Sequence, residues 1–139
     1  MANLLFIGLL VLVAGVFVAG IFIIRNIKKP AIGDTRGIKD KWEEIEELMN
    51  SSTALSWKMA VIEADKLMDS ALKMAKMRGE TMGERLKFAV YKHPKIRSVW
   101  QAHILRNDLV HETGRTLNNS EAQKAIKTFK EGLKLLGAL

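Results

Sequence analysis

"LSWKMAVIEADKLMDSALKMAKM", Leu55 to Met77, is the stretch whose reading decides the fold. Trp57, Ala60, Val61, Ala64, Leu67, Met68, Ala71 and Ala75 recur at spacings of three and four, which draws a single apolar stripe along a helix. No alternation of period two competes with it. Only two prolines, one tyrosine and few β-branched runs argue further against strands. Its methionines suit core filling, because an unbranched thioether adapts to irregular gaps. Glu63, Asp65 and Asp69 form an acidic cluster with Lys66 and Lys73 three or four residues away, the pattern of a paired, solvated face.

The same period continues on both sides. "KDKWEEIEELMN" places Trp42, Ile45, Leu48 and Met49 on one face, with its acids read as sitting near the start of the helix. Ser51, Ser52 and Thr53 offer a break or an N-cap. Gly79 fits a helix stop, and Thr81 with Glu84 reads as a capping box. His93-Pro94 separates "MGERLKFAVYK" from a longer helix, "HPKIRSVWQAHILRNDLVHE", which Gly114 closes. Ser120 with Gln123 reads as the capping box of the last helix, whose face is Ala122, Ala125, Ile126, Phe129, Leu133 and Leu136, with Gly137 as its stop. The expected class is all-α: an antiparallel bundle of four to five helices over residues 39–139.

Residues 1–24 are different. "LLFIGLLVLVAGVFVAGIFII", Leu4 to Ile24, is 21 residues without a polar side chain. As a helix it would be about 31 Å long, against a hydrocarbon core of roughly 30 Å. The expectation is a single transmembrane helix, 1–24, in the inner (plasma) membrane. Arg25, Lys28 and Lys29 flank it, which places the N-terminus outside and the bundle in the cytoplasm. Gly15 and Ala19 have the small-xxx-small spacing of a helix contact. Residues 25–38 read as a basic juxtamembrane linker with Pro30, Gly33 and Gly37. The lipid bilayer is the first expected partner.

Charge follows this division. The net +7 is made of +3 in residues 25–38, −3 in 39–56 and +7 in 57–139. A basic excess suits an anionic partner, lipid or nucleic acid. Lys124, Lys127, Lys130 and Lys134 recur at helical spacing, which fits either an RNA-binding strip or an ordinary solvated face. There is no cysteine, so neither a disulfide nor a thiolate metal site exists, and no cofactor or metal is expected.

One helix carries more than packing residues. In "ILRNDLVHETG", Ile104 to Gly114, polar groups interrupt the apolar period. With His103 at zero on the wheel, Arg106 falls near −60°, Asn107 near +40° and His111 near +80°. Ala102, Leu105 and Leu109 face the other way. A guanidinium, two imidazoles and an amide are the groups needed to hold a phosphate and move protons near neutral pH.

"RNDLVH", Arg106 to His111, resembles the R-x4–6-H signature of HEPN domains, with the polar residue after the arginine that this family favours. Arg97 and His103 satisfy the same spacing. "AVIEADKLMDSAL" and "WQAHILRNDLVHE" also resemble the second and third helices of HEPN-like bacterial proteins, and the resemblance covers residues 40–139. It implies a homodimeric, metal-independent endoribonuclease. His111 would be its general acid or base, Arg106 would hold the scissile phosphate, and Asn107 would orient the phosphate or His111. His103 has no assigned family role and is a possible helper. The expected reaction is attack by the ribose 2′-hydroxyl, in a membrane-tethered enzyme of stress response, toxin–antitoxin pairing or phage defence, with an antitoxin or other protein as a possible partner. The alternative is a non-catalytic, membrane-anchored interaction module of the same fold, in which Arg106 pairs with Asp108, Glu112 or an acid on the second bundle helix.

Overall fold

In the computed structural model, residues 2–27 and 32–139 are described, with the side chains of 2–5 and 23–27 left aside. The described residues form helices and no strands, as an all-α chain should. The chain divides into two compact units, Met1–Pro30 and Ala31–Leu139.

The first unit holds α1, Ala2–Ile27. Among the described residues no helix is long and apolar enough to cross a membrane, which corrects the expected transmembrane helix and single-pass inner-membrane placement. The topology of outside N-terminus and cytoplasmic bundle rested on that span and falls with it. Lys28 and Lys29 lie outside the described residues, as does the side chain of Arg25.

The second unit is the bundle. It comprises α2 (Arg36–Asn50), α3 (Ala54–Met74), α4 (Met82–Lys92), a 3-10 turn (Pro94–Ser98), α5 (Val99–His111) and α6 (Asn119–Leu136). Helix α3 is its centre and packs against α2, α4, α5 and α6. Ala60, Val61, Ala64, Met68, Ala71 and Leu72 are fully enclosed there, and Phe129 and Leu133 of α6 and Val99 and Leu109 of α5 fill the space around them. Close packing is sharpest at Gly132, where a Cβ would lie 2.6 Å from Val99 Cγ2 and 3.2 Å from Met68 Cε. No larger residue would let α6 approach so closely.

Helix ends show where local chemistry decided and where tertiary structure overrode it. Thr53 caps α3 by accepting from the Ser56 N–H at 3.1 Å. Thr81 and Glu84 form the expected capping box of α4. The capping box of α6 is Asn118 with Glu121, ahead of the expected Ser120 and Gln123. Both pairs have the i, i+3 spacing and asparagine and serine cap about equally well, and the helix takes the earlier pair. Helix α2 begins at Arg36, so its acids lie in its body and none is in the first turn. Helix α3 stops before Gly79: Lys76 takes the left-handed turn at φ 55°, and Met77 N–H bonds to Leu72 C=O at 2.9 Å. Burial of Met77 against the core holds that end in place. The long helix expected from His93 opens instead as the 3-10 turn Pro94–Ser98. Proline sets φ for a first turn but has no N–H to give, and Ile96, fully buried, fixes the tighter geometry.

Candidate functional site

The polar face of α5 is built against α3. The element that anchors it is Asp65, only 3% exposed, on the core side of α3. Its Oδ1 lies 2.7 Å from His103 Nδ1. Its Oδ2 lies 3.4 Å from Arg106 Nε, close enough for ion pairing. The Arg106 N–H is not aimed at that oxygen, and Nε is a buried nitrogen without a hydrogen-bond partner. Arg106 Nη1 donates to Asn107 Oδ1 at 3.0 Å. Asn107 Nδ2 stands 3.3 Å from His103 Nε2 and closes the ring of contacts.

This ring fixes a tautomer. A carboxylate can only accept, so His103 carries its proton on Nδ1. Arg106 can only donate, so Asn107 must present its oxygen to Arg106 and its amide N–H to His103. His103 Nε2 is then a bare acceptor. The imidazole is 12% exposed, sits 6.2 Å centroid to centroid from Trp100, and leaves little room for a substrate atom. Asp65 and His103 are therefore built to hold Arg106 and Asn107 in place, the logic by which a second layer of residues orients a reacting one. Arg106, with its side chain 24% exposed, keeps Nη2 without a hydrogen bond among the described residues.

His111 stands apart from this network. It is exposed, is the last residue of α5, and makes no hydrogen bond among the described residues. Five residues separate it from Arg106, about 7.5 Å along the axis and 140° around it. Between them on the wheel lie Asn107 and the exposed Val110, and Ile104 lies beyond His111 and is also exposed. The structure thus brings together Arg106, Asn107 and His103, and leaves His111 at the far edge of the same surface. Arg97 is exposed and takes no part in the network.

Asp65 was hidden in the sequence by its company. Glu63 does pair with Lys66 at 2.8 Å, as a solvated face should, whereas Asp69 meets Lys73 at 2.9 Å with its own side chain only 18% exposed. Asp65 does not belong to that face. It sits four residues after Val61 and three before Met68, in register with the buried stripe. A carboxylate on an apolar stripe needs a buried partner, and that register was the available signal.

The second cation site on α3 is purely internal. Arg85, 6% exposed, donates Nε to Asp69 Oδ1 at 2.7 Å, Nη2 to Oδ2 at 3.0 Å and Nη1 to Gly79 C=O at 2.7 Å. Burial alone would raise the Asp69 pKa, but the hydrogen bonds and charges of Arg85 and Lys73 outweigh it and hold the carboxyl below its ordinary value. Gly79, at φ +141°, permits this turn: a Cβ there would lie 2.6 Å from the Arg85 backbone nitrogen.

Of the α6 lysines, Lys130 bonds to Glu46 and lies 5.7 Å from the Trp42 ring centroid. The Lys130 hydrogen bond, then that of Trp42, lowers the Glu46 pKa. Lys130 is thus spent on tying α6 to α2. No group of three or more metal-ligating side chains occurs among the described residues. Comparison with family models, with curated proteins and with solved structures finds no match to this chain.

Proposed function

We propose that the bundle is a metal-independent endoribonuclease of HEPN type, acting as a homodimer. The observation that carries this reading is the division of labour on α5: an arginine fixed by a buried carboxylate and an amide, and an unpartnered, exposed histidine on the same surface. A prearranged cation supports a phosphate whose charge grows in the transition state. A free imidazole is the side chain suited to proton transfer near neutral pH. Arg106 and His111 lie too far apart around one helix to serve the same phosphorus atom alone. A second α5 across a two-fold axis would supply the missing approach, and the exposed Ile104 and Val110 give such a contact apolar area.

In the proposed reaction one His111 removes the proton of a ribose 2′-hydroxyl. The 2′-oxygen bonds to the adjacent phosphorus, and the bond from phosphorus to the 5′-oxygen breaks. The second His111, protonated, gives its proton to that leaving oxygen. Arg106 Nη2 holds a non-bridging oxygen and Asn107 sets the arginine's plane. The products are a 2′,3′-cyclic phosphate and a 5′-hydroxyl.

A non-catalytic interaction module is the second reading. It is favoured by the neutralisation of Arg106 by Asp65 inside one chain. The full-length chain incubated with mixed RNA in a chelator, beside Arg106→Ala and His111→Ala, separates the two. Cyclic-phosphate ends from the parent alone support the enzyme. Intact RNA at concentrations where the parent sediments as a dimer supports the module.

A further inference from the structure

A different surface of the bundle has the chemistry of a strand-binding site. Between Glu84 and Asp108 the sequence holds no acid, yet it contains Arg85, Lys87, Lys92, Lys95, Arg97 and Arg106. Arg85 is spent on Asp69, and Arg106 belongs to the site already described beside Asp65. Lys87, Lys92, Lys95 and Arg97 are exposed and form no ion pair among the described residues.

These cations surround aromatic surface. Lys87, Val90, Arg97 and Trp100 line an open cavity of about 390 Å³ where α4 meets the start of α5. Tyr91 stands beside it in sequence and is 83% exposed, more than any other large hydrophobic side chain described in the bundle. Lys92 lies with its Nζ 5.2 Å from the Phe88 ring centroid, a cation held over an aromatic face. Trp100 forms one wall of the cavity, and its ring centroid also lies 6.2 Å from that of His103.

We propose that this corner binds single-stranded RNA, with bases stacked on Trp100 and Tyr91 and phosphates on Lys87, Lys92 and Arg97. The inference deepens the ribonuclease reading and rests on it for the choice of RNA as the strand. Charge alone would suit any polyanion. The exposed Tyr91 ring and the half-buried Trp100 wall beside the cations select for unpaired bases, because a duplex keeps its bases stacked on one another. An apolar wall with cations at the rim matches a base entering edge-on with its phosphates outside. An acidic peptide would leave Tyr91 and the Trp100 wall without a partner.

The test uses full-length protein carrying His111→Ala, so that binding is read without cleavage. The probe is a fluorescent oligouridine of about 12 nucleotides, near the upper site size of single-strand binders. Lys87→Ala with Arg97→Ala should weaken binding and lower the slope of log K against log salt by about 1.4, the share of two phosphates on a single strand. Tyr91→Ala should weaken binding about tenfold at constant slope. All three residues are exposed, and unchanged circular dichroism melts verify the fold. Unchanged affinity and slope in these variants overturn the proposal. So does a loss of equal size for a duplex RNA or for polyglutamate, which would make the corner a general polyanion patch. A protein that binds the oligonucleotide through these residues but never cleaves RNA as the wild type supports this surface and removes the enzyme.

Discussion

Asp65 and Asp69 lie one turn apart on α3, and each meets an arginine, yet they are doing different things. Asp69 receives a two-pronged guanidinium at 2.7 and 3.0 Å, and Arg85 spends its remaining edge on the Gly79 carbonyl. The pair is closed. Asp65 meets Arg106 at 3.4 Å without an aligned hydrogen bond and divides its oxygens with an imidazole. That pair is left open, and Arg106 reaches the surface. A closed buried ion pair locks a turn; an open one holds a cation ready for another anion.

The comparison can be broken by substitution. Arg85→Met should be the most destabilising, by about 3 kcal/mol, because a largely buried carboxylate loses its main partner while Lys73 alone remains. Urea melts of both proteins measure it. Asp65→Ala should cost less, about 1–3 kcal/mol, since its partners sit nearer to water. It should also abolish RNA cleavage. Asp65→Asn should recover much of the stability and little of the activity. If Asp65→Ala proved the more damaging to the fold, Asp65 rather than Asp69 would be the structural lock.

Acid separates the pair more gently. Folding lowers the Asp69 pKa from an ordinary value of 3.8. Its contribution is therefore complete above that value and fades as pH falls through the lower folded value. Stability of the parent should drop below about pH 4, and Arg85→Met should show a shallower fall over the same range. Equal slopes would show that other carboxylates dominate acid unfolding. The smallest effect on the fold belongs to His111→Ala: within about 0.5 kcal/mol, as for an exposed side chain without partners. Cleavage should nonetheless fall at least about 100-fold, the scale of a lost general acid or base.

Much of the helical layout was legible because it is local. The stripe from Trp57 to Ala71 and the Thr81–Glu84 cap need only the chain's own period and its nearest neighbours. Boundaries slipped where two local signals competed, as at Asn118 against Ser120, or where a buried contact overrode one, as at Met77 and Ile96. The expectation drawn from the apolar run of α1 fails differently: composition speaks of a preferred solvent, and among the described residues no helix is long and apolar enough to cross a membrane.

Sequence alone determined that the second unit is helical, that α3 carries the core, and that Arg106, Asn107 and His111 share the surface of one helix. Each follows from spacings within a few turns. Only the tertiary structure decided that Asp65 is the buried anchor of that surface, that His103 is closed off as a support, and that Lys130 of α6 is tied to Glu46 while Lys87 and Arg97 line a cavity with Trp100. Those facts depend on which helices meet. A carboxylate on α3 acquires its role from an imidazole 38 residues away on α5, and no helical period encodes that distance.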